Sequence, residues 1–110
     1  MLIERKIIED NDGSYIEVIH DSSNILKTVY FPHRNKLFVH FVRGGTYSYT
    51  NINEKMYEEF ETAESVGKFF QKNIAKNTKH PFAKEFTLTD NEINEIKKII
   101  KEHKENKDEE

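Results

Sequence analysis

The sequence predicts a small α+β domain, in which an antiparallel sheet carries two helices on one face and an additional C-terminal helix. Three observations support this fold class. Strand-like runs separated by turn residues fill the first half of the chain, and apolar residues at helical spacing fill the second half. The length of 110 residues fits one domain, and eight Phe and five Tyr supply a core for a chain of this size.

The first two strands are predicted as an N-terminal hairpin within residues 1–20. Residues 2–9 and 14–20 are rich in Ile, Val and Tyr, and they flank the turn sequence Asn11-Asp12-Gly13. An Asp-Gly pair between such runs favours a hairpin, because the turn needs positive φ angles.

Three further strands are predicted at residues 25–31, 36–42 and 46–50. Pro32 ends the first of them because it cannot donate to a strand ladder. Residues 33–35 then form a turn, and the Gly44-Gly45 pair closes a hairpin onto the last strand.

Two helices, at residues 54–61 and 64–75, are predicted to pack on the sheet. Asn53 is a good N-cap for the first, and Ser65 or Thr62 can begin the second. The apolar residues of both helices recur at a spacing that places them on one side. They are Tyr57 and Phe60 in the first helix and Val66, Phe69, Phe70 and Ile74 in the second.

The C-terminal part is predicted as a separately packed amphipathic helix over residues 86–103, outside an α+β domain of residues 1–85. Thr89 and Glu92 have the spacing of a capping box, and isoleucines recur beyond them at helical spacing. Residues 104–110 are Lys, Glu, Asp and Asn only, so we expect them to be disordered.

Composition excludes several classes of function. The chain has no cysteine, which rules out disulfides, thiolate metal sites and cysteine nucleophiles. Its five histidines form no metal-ligand spacing, and no phosphate-binding loop or hydrolase motif is present. We therefore expect a non-enzymatic protein without catalytic residues, metal or cofactor. The sequence contains no signal peptide and no membrane-spanning run, so no membrane association is expected and the cytoplasm is the expected location.

Net charge gives a weak indication of a nucleic-acid partner. The whole chain has a net charge of −3, but residues 17–85 hold ten Lys and Arg against eight Asp and Glu. Residues 86–110 hold five against eight, so the centre is mildly basic and the end acidic. This is far from the strongly basic composition that marks a nucleic-acid domain.

The Tyr47-x-Tyr49 pair is the main candidate for ligand binding. A two-residue loop, Arg43-Gly44 or Gly44-Gly45, would place both rings on the face opposite Leu37, Val39 and Phe41. That face would also carry Phe38 and His40, and would suit base stacking. Two alternatives stay open. Another element can cover the face, or a three-residue loop or bulge can turn both tyrosines into the core.

Two polar groups of residues are further candidates. Lys68 and Lys72 lie one helical turn apart and, with Arg43, can meet phosphates, although a solvated helix face explains the lysines equally well. The run Ser22-Ser23-Asn24 can cap a turn or present hydroxyl and amide groups to a ligand.

The order of residues between 20 and 76 resembles the KTSC domain family, which is named for its occurrence at the C-terminus of some lysyl-tRNA synthetases. A Tyr-x-Tyr pair lies at the centre of that domain, and the family also occurs as small stand-alone proteins of bacteria. This chain departs from the family by having Ile52-Asn53 where Val-Pro is common before the first helix. The resemblance is carried by Ser22-Ser23-Asn24-Ile25, Tyr30, Leu37-x-Val39-x-Phe41, Gly44, Tyr47-x-Tyr49, Ala63-x-Ser65-x-Gly67-x-Phe69-Phe70 and Ile74.

The resemblance implies RNA binding as the family-level function and makes the Ser22–Asn24 segment one of the defining positions. The leading hypothesis is a non-catalytic module that binds RNA or another nucleic acid. The first alternative is a binder or sequestering protein for a small nucleotide-like ligand, encoded by a bacterium or a phage. The second is an adaptor that binds other proteins, and self-association stays open. The predicted ligand-binding residues are Tyr47, Tyr49, Ser22, Ser23, Asn24, His40, Arg43, Lys68 and Lys72.

Overall fold

The protein is a six-stranded antiparallel sheet with three helices, which confirms the predicted α+β class. The computed structural model describes residues 2–11, 13–43, 45–75, 79, 81–85 and 88–108. The strands follow one another in the sheet in chain order. They are β1 (Leu2–Asp10), β2 (Gly13–His20), β3 (Ile25–Phe31), β4 (Lys36–Phe41), β5 (Thr46–Tyr49) and β6 (Phe82–Lys84), and the helices are α1 (Glu54–Glu61), α2 (Val66–Phe70) and α3 (Asp90–Asp108).

The N-terminal hairpin is present as predicted. β1 pairs with β2 from Asp10 opposite Gly13 along the length of both strands, with an irregularity between Leu2 and Glu4. Gly13 has a φ of 126°, which favours glycine, and a Cβ there would lie 2.2 Å from a carbon of the His33 ring. The neighbouring β3–β4 turn therefore packs directly on the hairpin turn.

One face of the sheet, here called face A, carries α1 and α2 over the main core. Tyr30 of β3 stacks on Tyr57 of α1 with ring centroids 4.1 Å apart, and its hydroxyl donates to the Ile52 carbonyl over 2.8 Å. The predicted inward residues Tyr57, Phe60, Val66, Phe70 and Ile74 are all buried here. Phe69 is only partly buried.

The two helices begin where the sequence predicts capping residues. The Asn53 side chain accepts a hydrogen bond from the Met56 N–H over 2.8 Å, and α1 has the predicted bounds. The Ser65 hydroxyl accepts from the Lys68 N–H over 3.2 Å. α2 then continues as π-helical backbone over Gln71–Ala75, so the predicted helix at 64–75 is present but starts at Val66.

The other face of the sheet, face B, is partly covered by α3. The predicted capping box forms, because the Thr89 hydroxyl accepts from the Glu92 N–H while the Glu92 carboxylate accepts from the Thr89 N–H, both over 3.2 Å. A second apolar cluster joins α3 to β2 and β3, so the helix is part of the domain. Its buried members are Ile19, Leu26, Leu88 and Ile96.

Two predictions about the chain ends of these elements are wrong. α3 runs to Asp108, so residues 104–108 are helical and not disordered, while residues 109–110 lie outside the described residues. Propensity explains the difference, since Lys and Glu are good helix formers that can extend a helix already anchored by its apolar side. The predicted helix start at residue 86 is wrong as well, because α3 begins at Asp90, directly after its Thr89 cap, while residues 86 and 87 lie outside the described part.

The sequence gives no sign of β6, which pairs with β5 at the edge of the sheet. It has three residues, and Ala and Lys are poor strand formers. β4 and β5 are one residue shorter than predicted because Val42 and Thr50 donate elsewhere, to the carbonyls of Asn24 (2.9 Å) and Pro81 (3.1 Å).

Candidate nucleic-acid interface

The β4–β5 turn decides where the two tyrosines point. The Phe41 N–H donates to the Gly45 carbonyl over 2.8 Å, which leaves three positions in the loop instead of two. Val39 therefore lies opposite Tyr47, and Leu37 opposite Tyr49. Because residues directly opposite share a face, both tyrosines lie on face A with the main core. The prediction that they face away from Leu37, Val39 and Phe41 is wrong, and the three-residue loop is the alternative that occurs.

Tyr49 is a core residue. Its side chain is 5% exposed and meets the Phe70 ring edge-on at a centroid distance of 5.1 Å. Burial, together with the nearby Tyr47, raises the pKa of Tyr49 to about 12. Such a ring offers no free surface to a base.

Tyr47 is half-buried at the margin of the same core. Its ring lies between Phe41 and Phe82, with centroid distances of 5.8 and 6.0 Å. Phe82 belongs to the edge strand β6 and is 64% exposed. Tyr47 is thus partly covered by these two rings.

His40 lies on face B, as predicted, but it is buried. Its Nδ1 is hydrogen-bonded to the Thr46 hydroxyl over 2.8 Å. Burial, and to a lesser degree the nearby Lys27, lowers the pKa of His40 to about 4, and Glu92 and Glu17 oppose that shift. His40 therefore belongs to the interior on this face and does not serve as an open ligand contact. Arg43 is exposed in the β4–β5 turn.

A different set of aromatic rings is open on face B. Tyr15 of β2 meets Phe31 of β3 at 5.1 Å, and Phe31 meets Phe38 of β4 at 5.6 Å between centroids. All three side chains are half-buried, and none belongs to the two apolar clusters that hold the helices on the sheet. We call these three residues the aromatic platform.

Two cationic side chains adjoin the aromatic platform. The guanidinium carbon of Arg34 lies 5.7 Å from the centre of the Phe31 ring, and the Lys36 ammonium 5.2 Å from that of Phe38. Both distances are within the range of cation–π attraction. A short 3-10 turn at Pro32–Arg34, closed by left-handed Asn35 with a φ of 50°, holds the two cations beside the rings.

Most of this platform was not predicted from the sequence, although Phe38 was expected on the face opposite Leu37, Val39 and Phe41. The alternation of side chains along each strand could have placed the other two rings on the same face. Each ring lies an even number of residues from a face B side chain on its own strand, because Tyr15 is four residues from Ile19, Phe31 four from Lys27 and Phe38 two from His40. Side chains alternate along a strand, so the three rings share face B. What the sequence could not show is where α3 crosses the sheet and which end of that face it leaves open.

The other predicted binding residues meet in a groove on the opposite side of the domain. The loop after β2 lies against the start of α2, and the groove between them has a volume of about 330 Å³. The backbone of α2 comes close to the loop at Gly67, where a Cβ would be in van der Waals contact with the Ser22 hydroxyl at 3.5 Å. Its lining residues include Ser22, Ser23, Asn24 and Lys68, and an adjoining depression of about 530 Å³ adds Lys72 and Gln71.

The groove is polar but has charges of both signs. The Ser22 hydroxyl accepts hydrogen bonds from the N–H groups of Asn24 and Ile25, each over 3.3 Å, which fixes the loop. Asp21 and Glu64 line the same end as the serines, whereas Lys72 lines the adjoining depression. The structure thus brings five of the predicted residues together and leaves Tyr47, Tyr49, His40 and Arg43 outside.

Two features are absent from the described part of the chain. No group of three or more His, Cys, Asp or Glu residues in this part of the chain could hold a metal ion. Among the described helices, none is long and apolar enough to cross a membrane.

Comparison with known proteins agrees with the fold. The family model for the KTSC domain matches residues 21–77. A crystal structure of a KTSC domain protein from Yersinia pestis superposes with a TM-score of 0.58 at 31% identity, covering 64% of this chain and 97% of that one. No curated protein matches the sequence significantly. Because the family match spans more than half of the chain and includes both the Ser22–Asn24 loop and the Tyr47-x-Tyr49 pair, this protein belongs to the KTSC family.

Proposed function

We propose that this protein is a non-catalytic module that binds single-stranded RNA, or another single-stranded nucleic acid, on the aromatic platform of face B. The observation that carries the proposal is the row of three partly exposed rings beside Arg34 and Lys36. A cytoplasmic location, expected from the sequence, is part of this proposal.

The chemistry of the platform favours single strands. Bases stack on exposed aromatic rings with a gain of about 1–3 kcal/mol each, and stacking needs bases that are not paired. The platform spans three neighbouring strands, β2, β3 and β4, so successive bases can lie across it. Arg34 and Lys36 would meet the phosphates that link successive bases, and such contacts would make binding sensitive to salt.

Replacing two rings by leucine should test stacking while keeping apolar bulk in place. We expect Phe31→Leu with Phe38→Leu to weaken the binding of a single-stranded RNA pool at least about tenfold in fluorescence anisotropy. Phe82→Leu removes another phenylalanine ring, at the sheet edge and more exposed than Phe31 and Phe38, and serves as the matched control. Melting temperatures of both variants show whether the fold is kept. Equal binding by wild type and the double variant would contradict the proposal.

The charges give an independent readout in the same assay. Arg34→Gln with Lys36→Gln should lower the salt dependence of binding by about two phosphate contacts. Lys68→Gln with Lys72→Gln at the groove should leave that dependence unchanged. If the groove variant lowers it instead, the nucleic acid lies on the opposite side of the domain. If wild type binds no single-stranded RNA or DNA pool at low salt, the proposed function is wrong.

A second candidate function is supported by the groove at Ser22–Asn24. It gathers four predicted binding residues in a space of about 330 Å³, with Lys72 in the adjoining depression, and this size fits a small nucleotide-like ligand better than a polymer. The serine and asparagine side chains would meet sugar and base, and Lys68 and Lys72 would meet a phosphate.

A small ligand in that groove should raise the melting temperature with concentration. At a hundred times Kd, the stabilisation is about 2.7 kcal/mol, and we expect it to be lost in Lys68→Gln with Lys72→Gln. The double variant Lys55→Gln with Lys84→Gln has the same charge change away from the groove and should retain it. A panel of mononucleotides and dinucleotides without any shift in wild type would reject this candidate. Rejection of both candidates would favour the adaptor hypothesis.

A further inference from the structure

β1 is a long strand at the edge of the sheet. It has nine residues and pairs with β2 alone among the described residues. The opposite edge is the three-residue strand β6. An uncovered edge strand presents a row of unpaired N–H and C=O groups, which can bind another strand.

Exposed apolar residues flank this edge on both faces of the sheet. Only three large hydrophobic residues of the described part are exposed, and two of them, Ile7 (60%) and Ile99 (37%), are near β1. Ile7 shares a face with Arg5, which is paired with Glu61 of α1. Ile99 of α3 lines a groove together with Glu4 and Lys6 of β1 on face B.

We propose that two copies of this chain associate through β1, which pairs antiparallel with its own copy to form one continuous twelve-stranded sheet. The proposal does not depend on nucleic-acid binding. Backbone groups pointing outward from a strand belong to alternate residues, so a two-fold axis must pass beside a residue and not between two. Near the middle of β1 the axis can therefore pass beside Arg5, Lys6, Ile7 or Ile8, and of the two isoleucines Ile7 is the exposed one, at 60%.

The charges of β1 favour a two-fold axis beside Ile7. An axis at Arg5 or Lys6 would place a cation directly against its own copy, which is destabilising. An axis at Ile7 places the most exposed β1 side chain against its copy and brings Arg5 opposite Glu9 of the second chain, twice by symmetry. Arg5, Ile7 and Glu9 share one face, so the apolar contact has an opposite-charge pair on each side.

The oligomeric state tests the association. We expect light scattering to give twice the monomer mass for wild type, with dissociation on dilution. Ile7→Lys should raise the dimer Kd at least tenfold, because two ammonium groups would meet at the axis. Phe82→Lys makes the same change at the other sheet edge and should leave the dimer intact, and both variants should still unfold cooperatively on heating. A wild type that is monomeric at several hundred micromolar overturns the proposal.

The absence of cysteine allows a direct test of the register. Directly opposed residues have Cα atoms about 4.5–5.5 Å apart, within the range that a disulfide can bridge. Under mild oxidation, Ile7→Cys should form covalent dimers readily. Glu9→Cys should not, because its copies would lie about 13 Å apart in this register. Preferential cross-linking at position 5, 6 or 9, or none at 7, overturns the proposed pairing.

Discussion

Replacing Phe70 by alanine should destabilise the domain by about 3–5 kcal/mol, the usual cost of removing a fully buried phenylalanine. Phe70 is 2% exposed, and its ring meets both Tyr49 and Phe41, at centroid distances of 5.1 and 5.5 Å. The cavity left behind would lie between α2 and the sheet, where the surrounding strands cannot move inward without breaking their pairing.

Phe69→Ala is the matched control for this prediction. The neighbouring ring is only partly buried and touches the core through Phe60 at 6.2 Å. Urea denaturation of both variants should therefore give a clearly smaller loss for Phe69. Equal losses would mean that α2 presents a different side to the sheet than the one described here.

The second large effect is expected from acid. His20 and His40 are both buried, and loss of hydration is the main cause that lowers each pKa to about 4, from an unfolded value near 6.5. His20 is 1% exposed, with its Nε2 2.8 Å from the Thr28 hydroxyl. Each imidazole thus stays neutral in the folded protein while the unfolded chain takes up a proton.

The sign of the pH effect follows from this difference in bound protons. The unfolded state binds more protons between pH 6.5 and 4, so the free energy of unfolding falls as pH falls through that window. Each histidine should cost about 2 kcal/mol between pH 7 and pH 5, or about 4 kcal/mol for the pair.

Urea denaturation at several pH values measures this slope. His20→Gln or His40→Gln should each remove about half of it, even if the variant is less stable throughout. His33→Gln replaces an exposed histidine and serves as the control substitution. A stability that is flat between pH 7 and 5 would contradict the burial of both rings.

Local signals in the sequence predicted most of the fold. The Asn53 and Thr89 caps, the Asp-Gly turn and the apolar spacing of α1 and α2 each act within a few residues, so they can be interpreted without the tertiary structure. β6 was not predicted, because its own sequence has low strand propensity and its pairing with β5 holds it in the sheet.

The candidate site was predicted less well, because it depends on long-range geometry. The sequence partly predicted that Ser22–Asn24, Lys68 and Lys72 belong to one site, since all of them lie within the family resemblance. The orientation of Tyr47 and Tyr49 depended on one residue of loop length, and the sequence allowed both lengths. The openness of Tyr15, Phe31 and Phe38 depended on where α3 lies, which only packing decides.

The length of the β4–β5 turn decides which side chains of β5 face the aromatic core. Thr46 and Ser48 point to face B, where they bond His40 and Glu85 over 2.8 Å, while Tyr47 and Tyr49 fill face A. Removing a single residue between Phe41 and Gly45 would exchange these two sets at once, placing hydroxyls in the aromatic core and large rings on face B. The number of residues in this turn is therefore more tightly constrained than their identity. A relative whose turn is one residue shorter or longer can keep the fold only if β5 exchanges its polar and aromatic positions as well.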